Sequence, residues 1–168
     1  MGTFEDIAFH DFPTSNQLAI QDLELELRKL GFGYRAKYIF RTAHIIADER
    51  PVGWLESIAN SELQHDSLET DGKNCADYLL PGGRPGYRDA HAQLLELQGV
   101  GPKVADCVCL MGLGWNEALP VDTHVWQFAV KDYGFGRGKH KSLTKTTYAA
   151  IGDHFRKLWG LEAGWAHR

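Results

Sequence analysis

The feature that most constrains this chain is the segment Gly99-Val100-Gly101-Pro102-Lys103, set between two runs of apolar residues at helical spacing. Before it Ala90, Leu94 and Leu97 recur every three to four residues, and after it Val104, Val108 and Met111 do the same. Glycine removes the Cβ that would clash in a tight turn, and Pro102 suits the first position of a helix, where an N–H has no intrahelical partner. The reading is helix, hairpin over residues 98–102, helix. Such a helix start carries unpaired donors and a partial positive charge, which suit a phosphate oxygen. Two alternatives stand at this point: a hairpin that grips a nucleic-acid backbone without reading bases, and a plain helix–helix turn.

Lys103 lies in the first turn of the second helix, where the macrodipole disfavours a cation. An amine that gives up its proton is a nucleophile able to form a Schiff base; the alternative is a solvated surface lysine. Nineteen residues further on, Asp122 follows Pro120-Val121 and precedes Thr123-His124-Val125-Trp126, the place of an N-cap. Capping alone accounts for it. A carboxylate held at a helix start also stays ionised, as is wanted beside a cationic sugar transition state.

Composition bounds the rest. The 168 residues, 43% apolar and 11% aromatic, suffice for a single domain spanning 1–168 with its own core, and not for a second full one. The formal net charge is −4, so binding to a polyanion falls to local patches and helix starts; a small-molecule role for an acidic soluble protein is the competing class. Cys75, Cys107 and Cys109 form no CxxC pair, and the eight histidines are scattered. No metal, iron–sulfur centre or other cofactor is therefore expected, and a reducing intracellular compartment is. No apolar run approaches transmembrane length, and residues 1–13 lack the basic flank and apolar core of a signal peptide, so no membrane association is expected.

Along the chain, Thr14 or Ser15 is placed to cap a first helix with Ile20, Leu23, Leu27 and Leu30 as its apolar stripe and Gly31 as its end. A turn at Gly31-Phe32-Gly33 leads to Tyr34 and Arg35, which head a helix reaching about Glu49 before Pro51. A short helix near Trp54 to Ala59 precedes residues 61–86, which are polar, acidic and turn-rich and read as a flexible insertion. Arg84, near its end, and Arg88, just past it, are either solvated or phosphate contacts. Past Asp122, a helix carrying Trp126, Phe128 and Ala129 ends near Tyr133. Arg137, Lys139 and Lys141 then form the densest basic group, a phosphate contact or a solvated linker. Thr144 caps a last helix with Tyr148, Ile151, Phe155 and Leu158 on one face. The predicted architecture is all-α.

The runs GVGPKVADCVCLMGL (99–113) and PVDTHVW (120–126) resemble the helix-hairpin-helix Gly/Pro-Asp DNA glycosylase superfamily, and within it the 8-oxoguanine DNA glycosylase/AP lyase family. FHDFPT (9–14), LRKLGFGYRAKYI (27–39) and FRKLWGLEAGWA (155–166) extend the likeness in the same order. The resemblance implies a bifunctional glycosylase/lyase that flips oxidised guanine (8-oxoguanine) out of duplex DNA in base excision repair. Lys103 would attack the anomeric carbon to give a Schiff base, and Asp122 would steady the positive charge as the base leaves. It implies DNA contacts from Tyr34, whose ring wedges into the opened stack, from Arg35, which holds the widowed base, from Gly99, Val100 and Gly101 of the hairpin, and from His124. Cys107 takes the position that packs against the flipped purine, and His167 stands where the family has a base-pocket glutamine.

The same likeness implies damaged duplex DNA as partner, a monomer, and residence in the nucleus, with the mitochondrion as a second compartment. Against the family pattern the chain begins after an N-terminal β-rich domain and stops short of the aromatic residue that stacks on the lesion. The expected fold is thus a partial helix-hairpin-helix glycosylase domain. The competing expectation is a truncated, catalytically impaired helix-hairpin-helix module that binds DNA, with Lys103 a phosphate contact.

Overall fold

Thr14 starts the first helix with a reciprocal cap, its hydroxyl accepting from the Gln17 N–H while the Gln17 side chain accepts from the Thr14 N–H at 2.9 Å. The computed structural model describes residues 2–4, 7–61, 81–138 and 142–166. Their regular secondary structure is helical apart from one short antiparallel hairpin, in which β1 (Gly2–Phe4) pairs with β2 (Ile7–Phe9), Gly2 opposite Phe9. The chain divides into two compact units, Met1–Trp54 with Leu97–Gly99, and Leu55–Glu96 with Val100–Arg168.

In the first unit, α1 (Ser15–Leu18) and α2 (Leu23–Lys29) pack against α3 (Arg35–His44), which continues as a π-helical turn through Ile45–Glu49. The single first helix expected from the sequence is therefore two. Between them Asp22 adopts a left-handed conformation, φ 68°, which redirects the chain. A periodicity counted straight through residues 20–30 mixes two helix axes, so Leu27 is buried whereas Ile20 and Leu30 are 55% and 74% exposed. Ala36 and Ala43 are buried on α3, where small side chains allow close approach. Gly31 and Gly33 turn the chain at φ 89° and 56° before α3.

In the second unit the described helices are the remainder of α4 (Trp54–Ser57), then α5 (Pro85–Leu94), α6 (Pro102–Met111), α7 (Thr123–Lys131), α8 (Lys145–Trp159) and α9 (Ala163–Ala166). Residues 62–80 of the expected 61–86 insertion, with Cys75, lie outside the described residues, as do Lys139, Lys141 and His167. The end of that stretch is not insertion, because Gly82 and Gly83 turn at φ 86° and 83° and Pro85 opens α5. Arg84 is not solvated either. Its Nε and Nη2 donate to the two carboxylate oxygens of Glu117 at 2.7 and 2.8 Å, and Glu117 is fully buried.

The core of this unit gathers Leu119, Val121, Val125, Ala129, Ile151, Phe155 and Ala163, with Trp126, Phe128, Tyr148 and Trp159 packed on it. Phe155 is stacked between Phe128 and Trp159, at centroid distances of 5.2 and 4.4 Å. Its burial alone contributes about 1.5–3 kcal/mol. Leu158, expected on the same face of α8, is 52% exposed. A larger departure concerns α6. Val104 and Met111 are 45% and 60% exposed, and the buried face is Ala105, Asp106, Cys109 and Leu110. Apolar residues stand on both sides of this helix, so spacing alone does not choose the inward face.

Candidate active site

The helix that bears Lys103 begins as its sequence requires. Gly101 is the N-cap, extended at φ −97° and ψ 176°, its carbonyl accepts from Ala105 N–H at 2.9 Å, and Pro102 is the first helical residue. Lys103 is the second, exposed, with its amide among the donors that a helix start leaves without intrahelical acceptors. The two hairpin glycines differ in what they do. Gly99 needs its missing side chain: φ is +84°, and a Cβ would lie 2.6 Å from the Tyr38 ring. Around Gly101 a Cβ would meet nothing within 4 Å, so this position is open rather than crowded.

Asp122 caps α7 as its spacing predicts. One oxygen, Oδ1, accepts from the His124 N–H at 2.9 Å and the Val125 N–H at 3.0 Å, which leaves Oδ2 outside the cap. These bonds hold the carboxyl below the ordinary carboxylate range, the Val125 N–H most strongly; burial opposes them, and the His124 N–H and the charges of His124 and Lys103 add to the lowering. Lys103 also lines a cleft of about 710 Å³ with Val121, the residue before Asp122, and with Val100, Gly101, His91 and Tyr148. An amine at one helix start thus lines a space able to admit a ring-sized group, and the residue before the anion that caps the next helix lines it too.

Sequence reasoning passed over a second cluster behind this cleft. Asp106, 1% exposed, accepts from the hydroxyls of Tyr87, at 2.5 Å, and Tyr148, and lies 3.4 Å from His91 Nε2. Burial raises its carboxyl above the usual value, while His91 and the two hydroxyls oppose the rise. The signal was present as a lone charge within the apolar run VADCVCL. Of the neighbouring cysteines, Cys107 is half-buried, and Cys109 is fully buried, its thiol pushed up to about 12 by burial.

Tyr34 and Arg35 stand in the first unit at the start of α3. The Tyr34 ring is 64% exposed, and the Arg35 guanidinium lies 5.0 Å from its centroid. His124 is exposed at the start of α7. Among the described residues, no helix is long and apolar enough to cross a membrane.

A helical fold with a glycine hairpin opening a lysine-bearing helix, and an aspartate capping the next, defines a class. Residues 2–152 match the family described as HhH-GPD superfamily base excision DNA repair protein, and the chain belongs to that family. Among its relatives, it is 38% identical to the N-glycosylase/DNA lyase of Saccharomyces cerevisiae, over 98% of this chain and 43% of that protein. It is 36% identical to the N-glycosylase/DNA lyase OGG1 of Arabidopsis thaliana, over 99% of this chain and 39% of the relative. The chain therefore spans about two fifths of the length of these relatives. In fold it is similar to a Clostridium acetobutylicum 8-oxoguanine glycosylase/lyase solved with dsDNA containing cytosine opposite to 8-oxoG. The TM-score is 0.66 at 23% identity, over 98% of this chain and 45% of that one.

Proposed function

We propose that this chain carries the reacting centre of a bifunctional DNA glycosylase/AP lyase that removes oxidised guanine from duplex DNA. The observation that carries the reading is where the two groups stand: Lys103 is in the first turn of α6 and lines a cleft with Val121, and Asp122, the next residue, caps α7 through one oxygen and keeps the other outside the cap. The unprotonated Lys103 amine attacks C1′ of the flipped nucleotide. The C1′–N bond breaks, the base leaves with the bonding pair and takes up a proton, and the Asp122 carboxylate lies against the positive charge that develops on the sugar. Opening of the sugar ring gives a Schiff base. Loss of a C2′ proton then expels the 3′ phosphate, and water returns the amine.

The remaining assignments follow the family likeness. The open approach around Gly101, with Gly99 and Val100 beside it in the chain, suits backbone phosphate, and His124 supplies a further phosphate contact. Exposed Tyr34 and Arg35 fill and hold the space left by the flipped base. By the same likeness Cys107 and His167 take base-pocket positions in the sequence, His167 lying outside the described residues. The partner is damaged duplex DNA bound by a monomer, and the compartment is the nucleus, with the mitochondrion as a second. Borohydride trapping on duplex carrying 8-oxoguanine or an abasic site is expected to give a covalent complex that Lys103→Gln abolishes. Duplex binding with no trapping would replace this reading with a helix-hairpin-helix module that only binds DNA, with Lys103 a phosphate contact.

A further inference from the structure

The hydrogen bonds around Asp106 extend beyond the packing of helices to the loop that carries Asp122. Asp106 lies one turn past Lys103 on α6. Its Oδ1 accepts from Tyr87 of α5, and its Oδ2 accepts from the hydroxyl of Tyr148 on α8. A phenol has one proton to donate; with that proton given to Asp106, its oxygen still accepts. It does so from the backbone N–H of Val121, at 3.3 Å. Val121 is 1% exposed and immediately precedes Asp122, in a stretch, residues 118–122, with no regular secondary structure to absorb its donors. An unbroken chain therefore runs from Val121 N–H through the Tyr148 hydroxyl to Asp106. It ties the helix bearing Lys103 to the residue before Asp122.

We propose that Tyr148, with its hydroxyl oriented by Asp106, is a positioning residue that sets the placement of Asp122 relative to Lys103; this rests on the function proposed above. Tyr87 grips the same carboxylate from α5, and its hydroxyl makes no bond to residues 119–122 among those described. What distinguishes Tyr148 is the second bond its oxygen makes, to the backbone beside the site. Polar chains of this kind hold geometry because each bond polarises the next and an unmet member is penalised by its burial. A small displacement of a reacting group is enough to slow chemistry without affecting how tightly the rest of the substrate is held.

Tyr148→Phe keeps the ring and removes the oxygen. Trp115→Phe serves as the comparison, since it deletes another buried hydrogen bond of the same unit, from Trp115 Nε1 to the Ile58 carbonyl at 3.0 Å. Both variants are made in the complete protein. Single-turnover excision from 8-oxoguanine duplex, duplex affinity, thermal midpoint and amide hydrogen exchange are then measured. Tyr148→Phe is expected to slow excision by roughly tenfold or more at unchanged duplex affinity. It is also expected to speed exchange at Val121, His124 and Val125 above the rest of the unit. Trp115→Phe is expected to lower the thermal midpoint at least as far with excision unchanged. Excision rates that track the thermal midpoint in both variants, or unaltered exchange at the three amides in Tyr148→Phe, would overturn the inference. Exchange needs no turnover. A wild-type protein that excises nothing would count against the proposed function, and the three amides would still decide whether Tyr148 holds the loop.

Discussion

Capping and charge are two separate contributions of Asp122, and one substitution divides them. Asp122→Asn keeps an acceptor oxygen for the His124 and Val125 N–H groups, now bonded at 2.9 and 3.0 Å, and asparagine caps helices about as well as aspartate. What it deletes is the negative charge. The effect on stability is then the charge–dipole attraction at the start of α7, about 0.3–1 kcal/mol for a group this open to water. Asp122→Ala removes the cap as well and costs about 1 kcal/mol, with an upper end near 2. The barrier responds differently. If the carboxylate faces the charge developing on the sugar, its neutralisation removes electrostatic stabilisation whose ordinary size is about 10²–10³ in rate, or about 2.7–4 kcal/mol.

Asp122→Asn is thus expected to lose several times more from the barrier than from the fold. Single-turnover excision on an 8-oxoguanine duplex gives the first quantity and urea unfolding the second. Borohydride trapping on a duplex already abasic is expected to survive better than excision, since no base has to leave. An Asp122→Asn protein that excises at the wild-type rate would refute the reasoning. So would one whose barrier rises only as far as its stability falls, because Asp122 would then be a cap and nothing more.

Three further outcomes follow from the same geometry. Gly99→Ala is expected to lose about 1–3 kcal/mol in chemical unfolding, from the left-handed backbone and the collision with Tyr38; Gly101→Ala, at a negative φ in open space, should keep its stability and weaken duplex binding measured by fluorescence anisotropy. Arg84→Met leaves the fully buried Glu117 without its guanidinium and is expected to cost about 3–5 kcal/mol, whereas Arg28→Met, which breaks an exposed pair with Glu24, should cost no more than about 1 kcal/mol. Burial raises the Asp106 carboxyl, so the stability linked to it is full below its unfolded value and is lost as pH rises through its folded value. The stability of Asp106→Asn relative to wild type is therefore expected to grow from acid toward neutral pH in urea unfolding, and a gap independent of pH would show that Asp106 is not raised.

Much of the candidate site was legible in the sequence because its signals are local. Thr14, Asp122 and Thr144 were each readable as caps, and each accepts from an amide two or three residues ahead. The hairpin was readable because glycine, glycine and proline constrain their own backbone, although only Gly99 of the two glycines is held by sterics. Reading failed where neighbours distant in sequence decide. The stripe through Ile20 and Leu30 was broken by the left-handed Asp22, a conformation that no apolar spacing announces. Neither solvent nor phosphate, the two readings open for Arg84, was its partner, because Glu117 lies 33 residues away.

From the residues alone came the places where helices begin, the glycine hairpin, the lysine in the first turn of α6 and the aspartate capping α7. Each depends on a backbone N–H or a φ angle within a few residues, and such forces act whatever the rest of the chain does. Only the tertiary structure decided which side of α6 turns inward, and so that Asp106 rather than Val104 or Met111 is enclosed. The partners that make this tolerable, Tyr87 and Tyr148, are 19 and 42 residues away. A carboxylate can be taken out of water only where such donors converge, and convergence is a property of packed helices, not of spacing along one of them.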